Sequence, residues 1–115
     1  MRHLNKGRIF HREKSQRAAL MKALAIALFT RKHIETTVAK ARALRSFAER
    51  LITHARVDTL AKKRLVAKTL SPAMVKVVSE IAKGYLGRPG GYTRITKLGR
   101  RKSDSSEMAV IEFVK

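Results

Sequence analysis

Leu20, Leu24 and Leu28 recur every four residues, with Met21 and Phe29 beside them and few polar interruptions between residues 16 and 30. That spacing predicts a helix over about 16–30, apolar nearly all round and therefore central, with Ser15 as its N-cap. The period then changes. In "HIETTV" the residues Ile34, Thr36 and Val38 alternate with Glu35 and Thr37, as in a short strand of β-branched residues. From 38 to 56 the apolar positions Val38, Ala41, Leu44, Ala48, Leu51, Ile52 and Ala55 return to three-to-four spacing, and Lys40, Arg42, Arg45, Arg50 and Arg56 fall largely elsewhere. This is the clearest amphipathic helix of the chain, capped by Thr36 or Thr37. Asp58 or Thr59 can cap a shorter helix over 59–69. Ser71 followed by Pro72 opens a further one that Gly84 stops, with Met74, Val75, Val78, Ile81 and Ala82 on one face.

The last third reads differently. "GYTRITKL" and "EMAVIEFVK" are strand-like and "GRRKSDSS" between them is rich in turn formers, which predicts a β-hairpin with a basic loop. Pro89, Gly90 and Gly91 make the leading turn, and Tyr92 to Leu98 the first strand, with Thr93 or Ile95 facing inward. In the second strand Ala109, Ile111 and Phe113 share the face expected to meet the helices, and Met108, Val110, Glu112 and Val114 share the other. The predicted fold is α+β in two layers: about four helices packed on a small mixed β-sheet that includes the C-terminal hairpin. A basic N-terminal arm over 1–14 precedes a single domain over 15–115. No period of 20 to 50 residues repeats, which argues against a solenoid.

Charge sharpens this picture. Lys and Arg number 27 against 8 Asp and Glu, a formal net charge of +19. A compact chain of that charge repels itself, and the natural relief is a polyanion whose counterions are released when Lys and Arg replace them. The 44% hydrophobic content is too high for a purely disordered basic tail. The absence of cysteine excludes a disulfide framework, a Cys-ligated zinc and a thiol nucleophile. The run "AALMKALAIALF" after a basic stretch imitates a secretory signal, but Lys22 interrupts it, Glu13 precedes it and it is too short to span a bilayer. A buried helix is the expectation.

The eight carboxylates are scattered singly, and several have structural work at hand, Asp58 as a cap and Glu49 as a partner for Arg45. His3, His11, His33 and His54 lack the close pairing of a helical metal site, and there is no H-E-x-x-H, G-x-S-x-G or Walker-type loop. Neither catalysis, a metal nor a cofactor is expected, nor a membrane or small-molecule substrate. The cations instead gather in two clusters. One holds Arg2, His3, Lys6, Arg8, Arg12, Lys14 and Arg17. The other, "RPGGYTRITKLGRRK", holds Arg88, Arg94, Lys97, Arg100, Arg101 and Lys102 together with Gly90, Gly91 and Tyr92. A basic terminus is often merely solvated, but the second cluster belongs to a turn and strand, and the two glycines leave room for a nucleic-acid backbone. Aromatics are only 5% of the chain and no RNP-like run or KH-type loop is present, so backbone and shape are expected to be read rather than base edges. Tyr85 and Tyr92 are open between core positions and stacking platforms. Composition alone leaves three function classes, a structural RNA-binding protein of a ribonucleoprotein, a nucleoid-type DNA binder, and an enzyme acting on nucleic acid, the last disfavoured by the scattered carboxylates. A basic arm and a basic loop on a small helical body suit the first best.

The segments "MRHLNKGR", "HREKSQRAALMKALAIAL", "IETTVAKARALRSFAERLIT", "RPGGYTRITK" and "MAVIEFV", in this order from Met1 to nearly the end, resemble the bacterial-type large-subunit ribosomal protein family L-seventeen. "GGYTRI" and "TTVAKARALR" are the most specific parts. The resemblance implies a structural constituent and assembly scaffold of the large ribosomal subunit, in the bacterial cytosol. Its partners would be the large ribosomal RNA and neighbouring large-subunit proteins, around the polypeptide exit region. It implies RNA contact at Arg2, His3, Lys6 and Arg8 through "MRH" and the Gly7–Arg8 pair, and at Arg88, Tyr92 and Arg94 through "RPGGYTR". The chain departs from the family's arginine, glycine and aspartate before the last strand, having Arg101, Ser103 and Asp104 in "RKSD" spacing. The arm is expected to become ordered only on assembly, and Arg94 and Arg101 are expected to serve binding rather than the fold.

Overall fold

The computed structural model describes residues 10–114, so the expectations for Arg2, His3, Lys6 and Arg8, and for an arm that orders on assembly, lie outside the described residues. Four helices and three strands follow one another as α1 (Lys14–Arg31), β1 (His33–Thr37), α2 (Val38–Ala55), α3 (Leu60–Thr69), α4 (Pro72–Lys83), β2 (Thr93–Arg100) and β3 (Glu107–Phe113). The α+β class and the helices-on-sheet architecture are as expected. The sheet has the order β1-β3-β2, and both pairings are antiparallel where a mixed sheet was expected. The hairpin lays β3 between β2 and β1, and it runs against each.

Local chemistry explains where the elements begin. α1 starts two residues before the expected boundary, with Glu13 rather than Ser15 as N-cap. The Gln16 side-chain oxygen accepts the Glu13 N–H at 3.2 Å, and the Glu13 carbonyl accepts the Arg17 N–H at 2.8 Å. Lys14 therefore belongs to the helix and not to an arm. At the other end Lys32 turns into the left-handed region (φ 70°), its N–H on the Leu28 carbonyl, and the chain passes directly into β1. Thr37 caps α2 by accepting the Lys40 N–H at 3.3 Å, while Thr36 is buried in the sheet. Thr59, not Asp58, caps α3. Asp58 pairs instead with Lys63 Nζ at 2.9 Å, and that hydrogen bond lowers its pKa. Ser71 and Pro72 open α4 as expected.

The core forms around α2. Its Ala41, Leu44, Ala48 and Ile52 are fully buried against Ala25, Leu28 and Phe29 of α1, Val78 and Ala82 of α4, and Ala109 and Ile111 of β3. Burying each large aliphatic or Phe side chain contributes roughly 1.5–3 kcal/mol. The expected inner face of β3 meets the helices, and Phe113 reaches Phe29 with ring centroids 5.4 Å apart. A polar link ties α2 to β2. Glu49 of α2 accepts the Thr93 N–H at 3.2 Å and its hydroxyl at 2.9 Å on the same oxygen that lies 3.6 Å from Arg45 Nε. The local pattern reveals only the Arg45 partner; the bond to Thr93 anchors the start of β2 to the central helix.

Candidate nucleic-acid interface

The "RPGG" turn is held from beneath. Tyr92 is fully buried, and its hydroxyl donates to the Arg88 carbonyl at 3.2 Å, accepts from Arg56 Nη1 at 2.7 Å and lies 3.2 Å from the Thr53 hydroxyl. Arg56 also donates to the Arg88 carbonyl, so the end of α2 grips the start of the turn. The Tyr92 ring meets Tyr85 at 5.1 Å, and the Tyr85 hydroxyl donates to the Val114 carbonyl. Burial pushes the Tyr85 phenol up, against the opposing charge of Arg88, whose guanidinium stands 5.7 Å above that ring. The expectation that Tyr92 contacts RNA is thereby corrected: its ring is core, and its part is to hold the turn. Tyr85 is core as well. Arg56 was missed as a site residue because its partners lie 32 and 36 residues further on, where no local pattern points.

Of the two glycines, only Gly91 is required by the backbone, at φ 65°. Gly90 is not in the left-handed region, and a Cβ there would meet nothing within 4 Å. The turn thus presents an open, side-chain-free surface beside the exposed Arg88, which reaches across it to the Gly91 carbonyl at 3.4 Å.

Beyond the turn, β2 runs to Arg100, two residues past the expected end. Thr93 is buried and Ile95 packs on the core, so both expected inward residues face the helices. Arg94 lies opposite Glu112 and pairs with it at 2.6 Å. After Lys97, which is opposite Ala109, a bulge carries Leu98 as an extra residue through Gly99 (φ 100°), and Arg100 comes opposite Glu107. Residues 107 and 109 share a face. The bulge therefore places Lys97 and Arg100 on one side of the sheet, where a regular strand would put residues three apart on opposite sides.

The loop between β2 and β3 closes by the Arg101 N–H on the Ser106 carbonyl at 2.8 Å, with Ser105 in the left-handed region at φ 59°. Arg101 makes two bonds to Asp104, at 3.0 and 2.7 Å, and Asp104 also accepts the Ser106 N–H at 3.1 Å. Arg101 is accordingly a loop-closing residue. The Arg101 guanidinium, followed by the Ser106 N–H, holds the Asp104 carboxyl well below its ordinary 3.8. A group depressed on folding stabilises above its unfolded pKa and ceases to as pH falls through the folded one. In an NMR titration the Ser106 amide is expected to hold its shift from neutral pH down to 4 and to move only well below 3.8; a midpoint at or above that value would count against the bond.

Arg94 and Arg101 are thus neutralised within the hairpin, whereas Lys97, Arg100 and Lys102 are exposed and have no carboxylate within 4 Å among the described residues. Of the first cluster, Arg12 donates to the Phe10 carbonyl at 2.8 Å, and Lys14 and Arg17 stand on the opening turns of α1. Among the described residues no group of His, Asp or Glu could hold a metal, and no helix is long and apolar enough to cross a membrane.

The family model described as Ribosomal protein L17 matches residues 20–114. The chain is 51% identical to the large ribosomal subunit protein bL17 of Sulfurihydrogenibium sp. (strain YO3AOP1), over 99% of this chain and 97% of that one. It is 51% identical to the protein of that name from Persephonella marina, covering 99% and 95% of the two chains, and 44% identical to that of Neorickettsia sennetsu, covering 99% and 100%. A central helix and a braced basic hairpin, within a sequence alike over nearly its whole length to these relatives, place the chain in the ribosomal protein L17 family.

Proposed function

We propose that the protein is a structural constituent of the large ribosomal subunit, not an enzyme, and that it binds the large ribosomal RNA through its basic N-terminal segment and its basic C-terminal hairpin. The observation that carries this reading is the hairpin: a bulged, core-anchored strand holds Lys97 and Arg100, and the closed loop after it holds Lys102, without acidic partners among the described residues, in a chain of formal net charge +19. A hairpin backbone fixed before binding spares the cost of ordering a loop when its cations meet phosphates, and the bare surface at Gly90 leaves room for a sugar-phosphate chain. The names of the relatives support the choice of subunit, and the resemblance supports neighbouring large-subunit proteins as partners and a place near the polypeptide exit region. Titrating the protein with large-subunit ribosomal RNA and with duplex DNA at several salt concentrations tests the proposal. RNA is expected to bind more tightly at every salt concentration; equal affinity for both would leave only a general polyanion binder, and a density map of the native large subunit without the chain would refute the placement.

A further inference from the structure

A groove of about 490 Å³ opens between the first two turns of α1 and the middle of α2. Phe10, Ala18, Met21, Ala43 and Phe47 give it apolar walls, while Lys14, Arg17 and Arg50 stand around it, and no carboxylate lines it. Arg50 Nε is bonded to the Ser46 carbonyl at 3.3 Å, but the Nε of Arg17 is buried and has no hydrogen-bond partner among the described residues. A buried donor left without an acceptor is costly, and Lys14 and Arg17, three residues apart on a first turn with no acidic residue, repel each other and add to the positive end of the helix. The fold alone gives no reason to gather three cations around an aromatic wall. A ligand with a flat apolar part and a negative group removes both penalties.

We propose that this groove receives one unpaired nucleotide of the ribosomal RNA, its base against Phe47 and its phosphate among Lys14, Arg17 and Arg50. The proposal rests on the RNA-binding reading above and gives that reading a defined site. An acidic peptide would satisfy the cations too, but both long walls are helices whose backbone groups, beyond the opening turn of α1, are bonded internally, so an extended peptide would find no strand edge to pair with. A nucleotide needs only a π-face and cations. The volume lies in the roughly 300–1,000 Å³ range of small-ligand clefts.

The test uses the full chain bound to bacterial large-subunit ribosomal RNA, with short-wave ultraviolet crosslinking and mass spectrometry of the crosslinked peptides. A nucleotide attached to the segment containing Phe47 or Met21 is expected. Phe47→Leu should bind about tenfold more weakly with an unchanged salt slope, since no charge is lost, and Phe47→Tyr should bind as the parent does. RNA binding that persists with no crosslink in this groove and no loss in Phe47→Leu would overturn the inference while leaving the RNA-binding reading intact. A crosslink from Phe47 to another protein in the native subunit would overturn it as well. Loss of preference for RNA over DNA in the parent would instead remove the reading on which it rests. If Phe47→Leu fails to fold, the crosslink on the unaltered protein decides.

Discussion

Tyr92→Ala is expected to lower the stability of the protein by about 3–5 kcal/mol, the usual cost of deleting a large buried aromatic. The side chain is among the largest that are fully buried, and its loss would open a cavity beneath the "RPGG" turn, next to Tyr85. The hydroxyl adds a separate contribution. Tyr92→Phe keeps the ring but takes from Arg56 the acceptor at 2.7 Å, leaving it the Arg88 carbonyl, and leaves that carbonyl with one donor fewer, at a cost of about 1–3 kcal/mol. Urea denaturation followed by circular dichroism measures both. A shift below 1 kcal/mol for Tyr92→Ala would mean that the ring is not part of the core, and the stacking reading would return.

The second large effect concerns binding. Replacing Lys97, Arg100 and Lys102 together by Gln should reduce the slope of log K against log salt by roughly 2–3, because each neutralised phosphate contributes about 0.7–0.9. Arg94→Gln with Arg101→Gln should change the slope less, since those guanidinium groups already spend their charge on Glu112 and Asp104. The latter pair should show its effect in the hairpin, as altered amide shifts around Ser106, where Asp104 would lose its bidentate partner. Equal flattening by the double and the triple variant would show that the internal pairs open on binding and that the cluster acts as a whole.

Much of the architecture was legible because it is written in short periods. The four-residue leucine spacing of α1, the alternation of Ile34, Thr36 and Val38, and the Ser71–Pro72 start of α4 are consequences of backbone geometry that neighbours in sequence express by themselves. Starts were less legible where a side chain could serve in two ways. Ser15 and Glu13 both suit a helix start, and Gln16 decided for Glu13; Asp58 and Thr59 both suit a cap, and Lys63 drew Asp58 away.

The functional surface divides along the same line. Residue order alone shows that the chain carries a large positive charge, that this charge gathers in two clusters, and that one cluster belongs to a strand and turn. Which of those cations are available follows from the folded contacts. Arg94 meets Glu112 because β2 and β3 pair in that register, Tyr92 is turned inward by Arg56 from the end of α2, and Lys97 and Arg100 share a face because Leu98 bulges out between them. Charge is a property of each residue and can be counted along the chain. The partner that cancels a charge, and the direction in which a free one points, depend on contacts between residues far apart in sequence, which exist only once the sheet has found its register.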